Sequence, residues 1–339
     1  MKKAITRSVG AAGAILLAAT ALAACSSGPT DAGATTAPSE SAASEMVEAE
    51  VVVATGPTLS NASTYIGQSE GIFEENGLTV TNQTLTAGPD AIPQLLSGAW
   101  TFAAVDTATA IKAAEEGVGV VAVAPVQVGV AGDEGYAAIM TTADSGIEEI
   151  SDLEGKKMQV NALGGTAEAL VRASMEAAGA DPDKVQFVEV APPQAIPAIQ
   201  AGQVDALFLS EPLISVALGL GLVDIANPEA ETIAGLPAFV FLASKQYVAE
   251  NPQVVRQFQT AILEANALAN SDHDLVVETG KTSTTVDPAI LSQVTRFPSF
   301  GEEPLTAEQV QEFIDFLIAN GLLDESDAPA AEDIVADLG

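Results

Sequence analysis

This 339-residue chain predicts an α/β fold of two similar lobes, and three observations carry that expectation. The chain repeats itself at an offset of 104 residues. Strand-like and helix-like runs alternate within each copy, and the segments after the second copy have no counterpart. Laying residues 91–124 on 195–228 without gaps gives seven identities in 34 positions: Ala91-Ile92-Pro93 on Ala195-Ile196-Pro197, Gly98 on Gly202, Ala113 on Ala217, Gly117 on Gly221 and Ala122 on Ala226. Both stretches share one order: a short helix, a glycine stop, an apolar strand, a polar loop, and a second helix closed by glycine. Self-similarity at a fixed offset marks a duplicated structural unit.

In the first copy, Val51-Val52-Val53-Ala54 is a β-branched run that reads as a buried strand. The loop 55–58 and a helix to Glu75, stopped at Gly77, follow it. The second copy answers with Met158-Gln159-Val160-Asn161, the loop 163–166, and a helix to Ala178 stopped at Gly179. Strands near 78–83 and 185–190 come next. Such alternation implies mostly parallel sheets joined by helical crossovers. Ala238-Phe239-Val240-Phe241-Leu242-Ala243 is a further strand. Asn251-Pro252 opens a helix to about residue 270, with Val254, Val255, Phe258, Ile262 and Leu263 on one face. Thr306 followed by Gln309 is a capping box for a helix reaching Asn320. The unrepeated segments are expected to join the first lobe, giving lobe 1 as residues 47–140 plus 237–339 and lobe 2 as 141–236. The two chain crossings then form a hinge.

Composition narrows the function. Twelve Lys and Arg face 46 Asp and Glu, a formal charge of −34, so a polyanion such as nucleic acid is not an expected partner. Hydrophobic residues make up 48% of the chain, enough for packed cores. With one Cys and one His, neither an internal disulfide nor a Cys/His zinc site can form, and no metal or cofactor is expected. His273, between Asp272 and Asp274, reads as a solvated residue at a helix C-terminus. There is no G-x-S-x-G elbow, Walker loop or H-E-x-x-H helix, and nothing supplies a nucleophile or an oriented base; the chain is expected to be a binder, not an enzyme.

Residues 1–24 carry Lys2, Lys3 and Arg7 before an apolar, Ala/Gly-rich run, which reads as an export signal. It ends in Leu22-Ala23-Ala24-Cys25, similar to the lipobox of bacterial lipoproteins, and Cys25 is the only cysteine. Removing the signal takes away three cations and no acid, leaving −37. Residues 25–46 lack apolar periodicity and read as a flexible tether. The expectation is a monomer, lipid-anchored at Cys25 on the outer face of the bacterial cytoplasmic membrane.

Three further runs carry a family resemblance: Gly71-Ile72-Phe73-Glu74-Glu75-Asn76-Gly77-Leu78-Thr79-Val80, Ile150-Ser151-Asp152-Leu153-Glu154-Gly155-Lys156-Lys157, and Gly202-Gln203-Val204-Asp205-Ala206 with Glu211-Pro212. In order and spacing the chain resembles the nitrate/sulfonate/taurine family of ABC-importer solute-binding lipoproteins, which also holds binders of thiamine-precursor pyrimidines. That resemblance implies the two-lobed type II periplasmic-binding-protein fold with a central ligand cleft and hinge, and delivery of a small organic solute to permease subunits in the membrane. The implied solute is nitrate-, sulfonate- or taurine-like; the alternative is a pyrimidine or another amino-bearing aromatic, and an enzyme on the same fold is a minor alternative.

Ligands of open α/β sheets lie outside the carboxyl ends of strands, so loops 55–58, 106–109, 163–166 and 210–213 are expected to converge. The candidate ligand-binding residues are Thr55, Thr58, Asp106, Thr107, Gly164, Gly165, Thr166, Ser210 and Glu211. Gly164-Gly165-Thr166 opens a helix, so its N–H groups could hold an anion or simply form a tight turn. Asp106 and Glu211 could meet a ligand amine or cap the helices that follow them. Trp100, Phe102, Phe208, Phe239 and Phe241 read as core residues, not ligand platforms.

Overall fold

The computed structural model describes residues 46–130 and 135–338. The export signal, Cys25 and the tether lie outside the described residues, apart from Met46. In the first part of the chain, β1 (Ala49–Thr55) leads through a 3-10 turn at Leu59–Asn61 to α1 (Ala62–Ser69), α2 (Ile72–Glu75) and β2 (Leu78–Thr84). Then come α3 (Ala91–Leu96), β3 (Phe102–Asp106), α4 (Thr107–Glu115) and β4 (Val120–Val128). The middle part holds β5 (Ala137–Thr142), β6 (Lys157–Val160), α5 (Thr166–Ala177), β7 (Gln186–Glu189), α6 (Pro192–Gln200), β8 (Ala206–Ser210), α7 (Leu213–Gly219), β9 (Leu222–Ala226) and α8 (Pro228–Thr232). The last part runs β10 (Pro237–Ser244), α9 (Lys245–Glu250), α10 (Pro252–Ser271), α11 (His273–Ser283), α12 (Pro288–Leu291), β11 (Ser299–Phe300), α13 (Ala307–Ala319) and α14 (Ala331–Ile334).

Two sheets result, ordered β11-β4-β10-β3-β1-β2 and β7-β6-β8-β5-β9. Apart from the added β11, the two orders are the same when β6, β7, β8, β5 and β9 are laid on β1, β2, β3, β10 and β4. The repeat offset of 104 carries Phe102–Asp106 onto Ala206–Ser210, so β3 and β8 are equivalent. The sheets are mixed where mostly parallel sheets were expected. β1 pairs in parallel with β2 and β3, and β6 with β7 and β8, but β10 and β5 run antiparallel to both neighbours. The reason is connectivity: β5 and β10 are the strands that enter each sheet directly from the other one. For the same reason the expected boundary between residues 140 and 141 is wrong, since it falls inside β5. Ala137 to Thr141 register against Ser210 to Ala206, so the second sheet already begins at Ala137.

Alternation along each strand splits the burial between two faces. In β3, Ala103 and Val105 pack with Leu95, Ile111, Phe313 and Ile314 beneath α3, α4 and α13. Phe102 and Ala104 face α10 on the other side, where Val255, Phe258 and Ile262 lie. There Phe258 stacks on Phe102 with centroids 3.7 Å apart and meets Phe241 edge-on at 5.1 Å. The second sheet is covered likewise, by α6 and α7 on one face and by α5 with the turn at Ile150–Leu153 on the other. Ala169 and Leu170 of α5 also enter the apolar cluster of the first sheet, so the halves touch through side chains.

The crossings lie side by side. Gly129 donates to the Leu236 carbonyl and accepts from Gly235, both at 2.9 Å, and a Cβ at Gly129 would overlap the Ile233 carbonyl. Glu229 is buried here. Its Oε1 accepts from Gln127 Nε2 at 2.7 Å, and the amides of Tyr136 and Ala137 also favour its charged form. Burial disfavours the charged form, and its carboxyl is pushed up to about 7.

Candidate functional site

The strand-end loops of the two sheets meet around Asp106. The residue ends β3 and caps α4: Thr109 N–H donates to Oδ1 at 3.2 Å and the Thr109 hydroxyl to Oδ2 at 2.6 Å. From the other half, Thr166 at the start of α5 donates to the same Oδ1 through its N–H at 3.1 Å and its hydroxyl at 3.0 Å. The Thr166 hydroxyl in turn accepts from the Ala108 N–H at 3.3 Å. Two helix N-termini therefore face each other, and one carboxylate neutralises both. The loop after β2 closes over it, since a Cβ on Gly88 would lie 3.2 Å from Asp106 Oδ2. Asp106 is 3% exposed.

This arrangement revises the expectation for residues 164–166. The N–H of Gly164 is taken by Glu168 Oε2 at 2.8 Å, and that carboxylate also pairs with Arg172 at 3.0 Å. The N–H of Thr166 is taken by Asp106. The N–H groups of Gly164 and Thr166 are thus satisfied by the protein's own carboxylates, and that of Gly165 by the Ala162 carbonyl at 3.3 Å. An oxyanion placed beside them, about 4 Å from Asp106, would meet a repulsion of roughly 4 kcal/mol at an effective dielectric near 20.

The second contact between the halves is built on Glu211. Its carbonyl accepts from the Tyr136 hydroxyl at 2.7 Å and from Leu59 N–H at 3.4 Å, and the Tyr136 oxygen accepts from Ser60 N–H at 2.9 Å. Burial pushes both the Tyr136 hydroxyl and the Glu211 carboxyl up. For Glu211 the Ser215 N–H and hydroxyl, at 3.1 and 3.0 Å, and the charge of Arg296 work in the opposite direction. Arg296 itself pairs with Asp224 of β9.

Of the remaining candidates, Thr55 is buried with its hydroxyl 3.1 Å from that of Tyr65, and Thr58 is half-buried against Ser60 and Asn61. Thr107 turns away from the other loops, donating to the Pro237 carbonyl at 2.5 Å. Ser210, opposite Ala137 in register, is half-buried. Sequence reasoning missed Thr109, Tyr136 and Arg296, and also Lys112. The Lys112 ammonium reaches Gly164 in a cavity of about 280 Å³ that Ile92, Glu116, Leu163 and Gly165 also line. Thr109 was legible as the third residue after a helix-capping Asp. Tyr136 was not, because its partners are 75 and 76 residues away.

His273 opens α11 and stacks on Phe297 with centroids 4.1 Å apart, instead of closing a helix as expected; it is exposed. Phe102 and Phe241 are buried as expected, while Trp100, Phe208 and Phe239 are half-buried at cluster margins.

A pair of like-ordered sheets exchanging one strand connection each, with their strand-end loops apposed, defines the periplasmic-binding-protein class of fold, and solved structures agree. The alkanesulfonate-binding protein SsuA of Xanthomonas axonopodis pv. citri, bound to MOPS, superposes with a TM-score of 0.70 at 21% identity, over 84% of this chain and 97% of that one. The nitrate-binding protein NrtA of Synechocystis PCC 6803 gives 0.69 at 15% identity, over 82% and 83%. Within that class the chain belongs to the NMT1/THI5-like family, whose sequence pattern matches residues 59–274. A relative in Brucella abortus (strain 2308), named as a binding protein, is 27% identical over 67% of this chain and 69% of its own length.

Proposed function

We propose that the chain is the solute-binding component of an ABC importer, exported, anchored through lipid at Cys25, and working as a monomer that hands its solute to membrane permease subunits. One observation carries the reading most: two equivalent sheets bring the loops after β3 and β6 within hydrogen-bond distance of each other, at Asp106 and Thr166. A small organic solute lodges between the halves. Closure swings the lobe of residues 137–226 against the rest about the crossings near Gly129 and Gly235. The free energy for closing comes from contacts made only in the closed state. The names of the fold neighbours support a nitrate-, sulfonate- or taurine-like solute. The two buried carboxyls Asp106 and Glu211 favour the second reading, an amino-bearing aromatic such as a pyrimidine.

A thermal-shift screen of nitrate, alkanesulfonates, taurine, aminopyrimidines and primary amines tests this, together with mass spectrometry of any small molecule that co-purifies. A bound solute at a hundred times its Kd raises stability by about 2.7 kcal/mol. No stabilising compound and no retained molecule would speak against capture.

A further inference from the structure

We propose that residues 288–298 form a strap, carried by the first half and laid across the second, and that the Arg296–Asp224 ion pair is the latch by which this strap holds the halves together. The inference rests on the reading that the halves turn about the two crossings, and adds what resists that turn.

The strap is rooted in the first half. Leu291 and Val294 are buried with Leu59, Ile66 and Ala269. Just beyond the strap, β11 pairs with β4, and the Asn270 side chain clamps the Phe300 backbone: the Phe300 N–H donates to Oδ1 and its carbonyl accepts from Nδ2, each at 2.9 Å. Between these roots Arg296 reaches the other way, to Asp224 of β9, and α12 lies against α7. Arg172 and Lys184 pair with acids of the second half, and Lys281 with an acid of the first, whereas Arg296 pairs across the two.

Asp224 is set up to be held. Its Oδ1 accepts from the Ala226 N–H at 3.2 Å, and its Oδ2 meets the guanidinium. The two side chains are 21% and 23% exposed, so water screens their attraction less than at an open surface. The grip is also releasable. Nη1 of Arg296 is buried without an acceptor, so the guanidinium holds Asp224 through one link. β9 runs directly into the second crossing, and Asp224 stands ahead of Asn227 by about 10 Å of strand. A turn of the halves about the crossings carries Asp224 past the strap. A charge-assisted hydrogen bond needs about 2.7–2.9 Å between its heavy atoms, so a small displacement breaks it. The charge of Arg296 also favours the ionised form of Glu211, which puts the latch within electrostatic reach of the cleft loop 210–213.

The test places spin labels at the exposed Glu74→Cys and Glu176→Cys, one on each half, in a Cys25→Ser background, and reads their separation by pulsed electron-spin measurement without added solute. The parent is compared with Asp224→Asn, Arg296→Gln, both together, and the charge-reversed Asp224→Arg/Arg296→Asp. Each single neutral variant is expected to raise the ratio of long to short separations at least about threefold, the size of effect one ion pair supplies. The double neutral variant is expected to go no further than either single one, because both remove the same link. Charge reversal is expected to return the ratio towards that of the parent. Should Arg296→Gln fail to fold, Asp224→Asn, which removes the charge and keeps the shape, decides alone. Unchanged or shortened separations in the single variants, or effects that add in the double one, overturn the latch. If that happens while a solute retained in the thermal-shift and mass-spectrometry screen still shortens the separation, only the latch fails; if neither the substitutions nor a retained solute moves the labels, the turn of the halves itself fails.

Discussion

At the scale of single residues, buried polar groups decide the behaviour of the site. Tyr136 joins the halves through one oxygen, so Tyr136→Phe removes both a donor to Glu211 and an acceptor for Ser60. Leaving such buried partners unmatched costs about 1–3 kcal/mol, to be read from urea denaturation. Glu229 makes a pH-dependent contribution. Its folded-state pKa, about 7, lies above the ordinary 4.5. Between those values the unfolded chain has released its proton while the folded chain keeps it, so stability falls as pH rises from about 4.5 to 7 and is level above. The loss is roughly 3 kcal/mol in all. Glu229→Gln is therefore expected to raise the melting temperature relative to wild type at pH 8 and to lose that advantage at pH 4.5; an equal effect at both would contradict the burial of an ionising carboxyl. Asp106 and Thr166 were both legible as strand-end residues beside helix starts. That they would bind each other was not, because donors at a helix start look the same in sequence whether a solute or a distant carboxylate fills them.

At the scale of elements, periodicity located strands and helices well where the pattern was local. The capping box at Thr306 and Gln309 forms as expected. The helix from Pro252 runs to Ser271 with Val254, Val255, Phe258 and Ile262 buried. What local pattern does not encode is partnership. β5 reads as the end of the first copy in sequence order, yet its neighbours β8 and β9 lie in the second sheet, and only long-range pairing reveals it. Two substitutions probe this level. Phe258→Ala empties the aromatic stack with Phe102 and Phe241 and is expected to cost roughly 3–5 kcal/mol. Gly129→Ala forces a Cβ against the Ile233 carbonyl between the crossings and is expected to cost roughly 1–3 kcal/mol by overpacking.

At the scale of the whole molecule, the duplicated sheet order is what the repeat of 104 residues announced, and it is the most dependable thing the sequence offered. Charge acts at this scale too. A chain with a formal charge of −34 repels itself, so raising sodium chloride from about 0.01 M to 0.15 M, which shortens the screening length from about 30 to 8 Å, is expected to raise the melting temperature. The central claim is that the two halves close on a solute. Because Cys25 is the only native cysteine, spin labels can be placed at Glu74→Cys in α2 and Glu176→Cys in α5, both exposed, in a Cys25→Ser background. Pulsed electron-spin measurement of the label separation, made with and without the solute found in the screen, tests that claim directly. A separation that shortens and narrows on saturation is the expected result, and one distance distribution, unchanged by a solute that binds, would contradict closure.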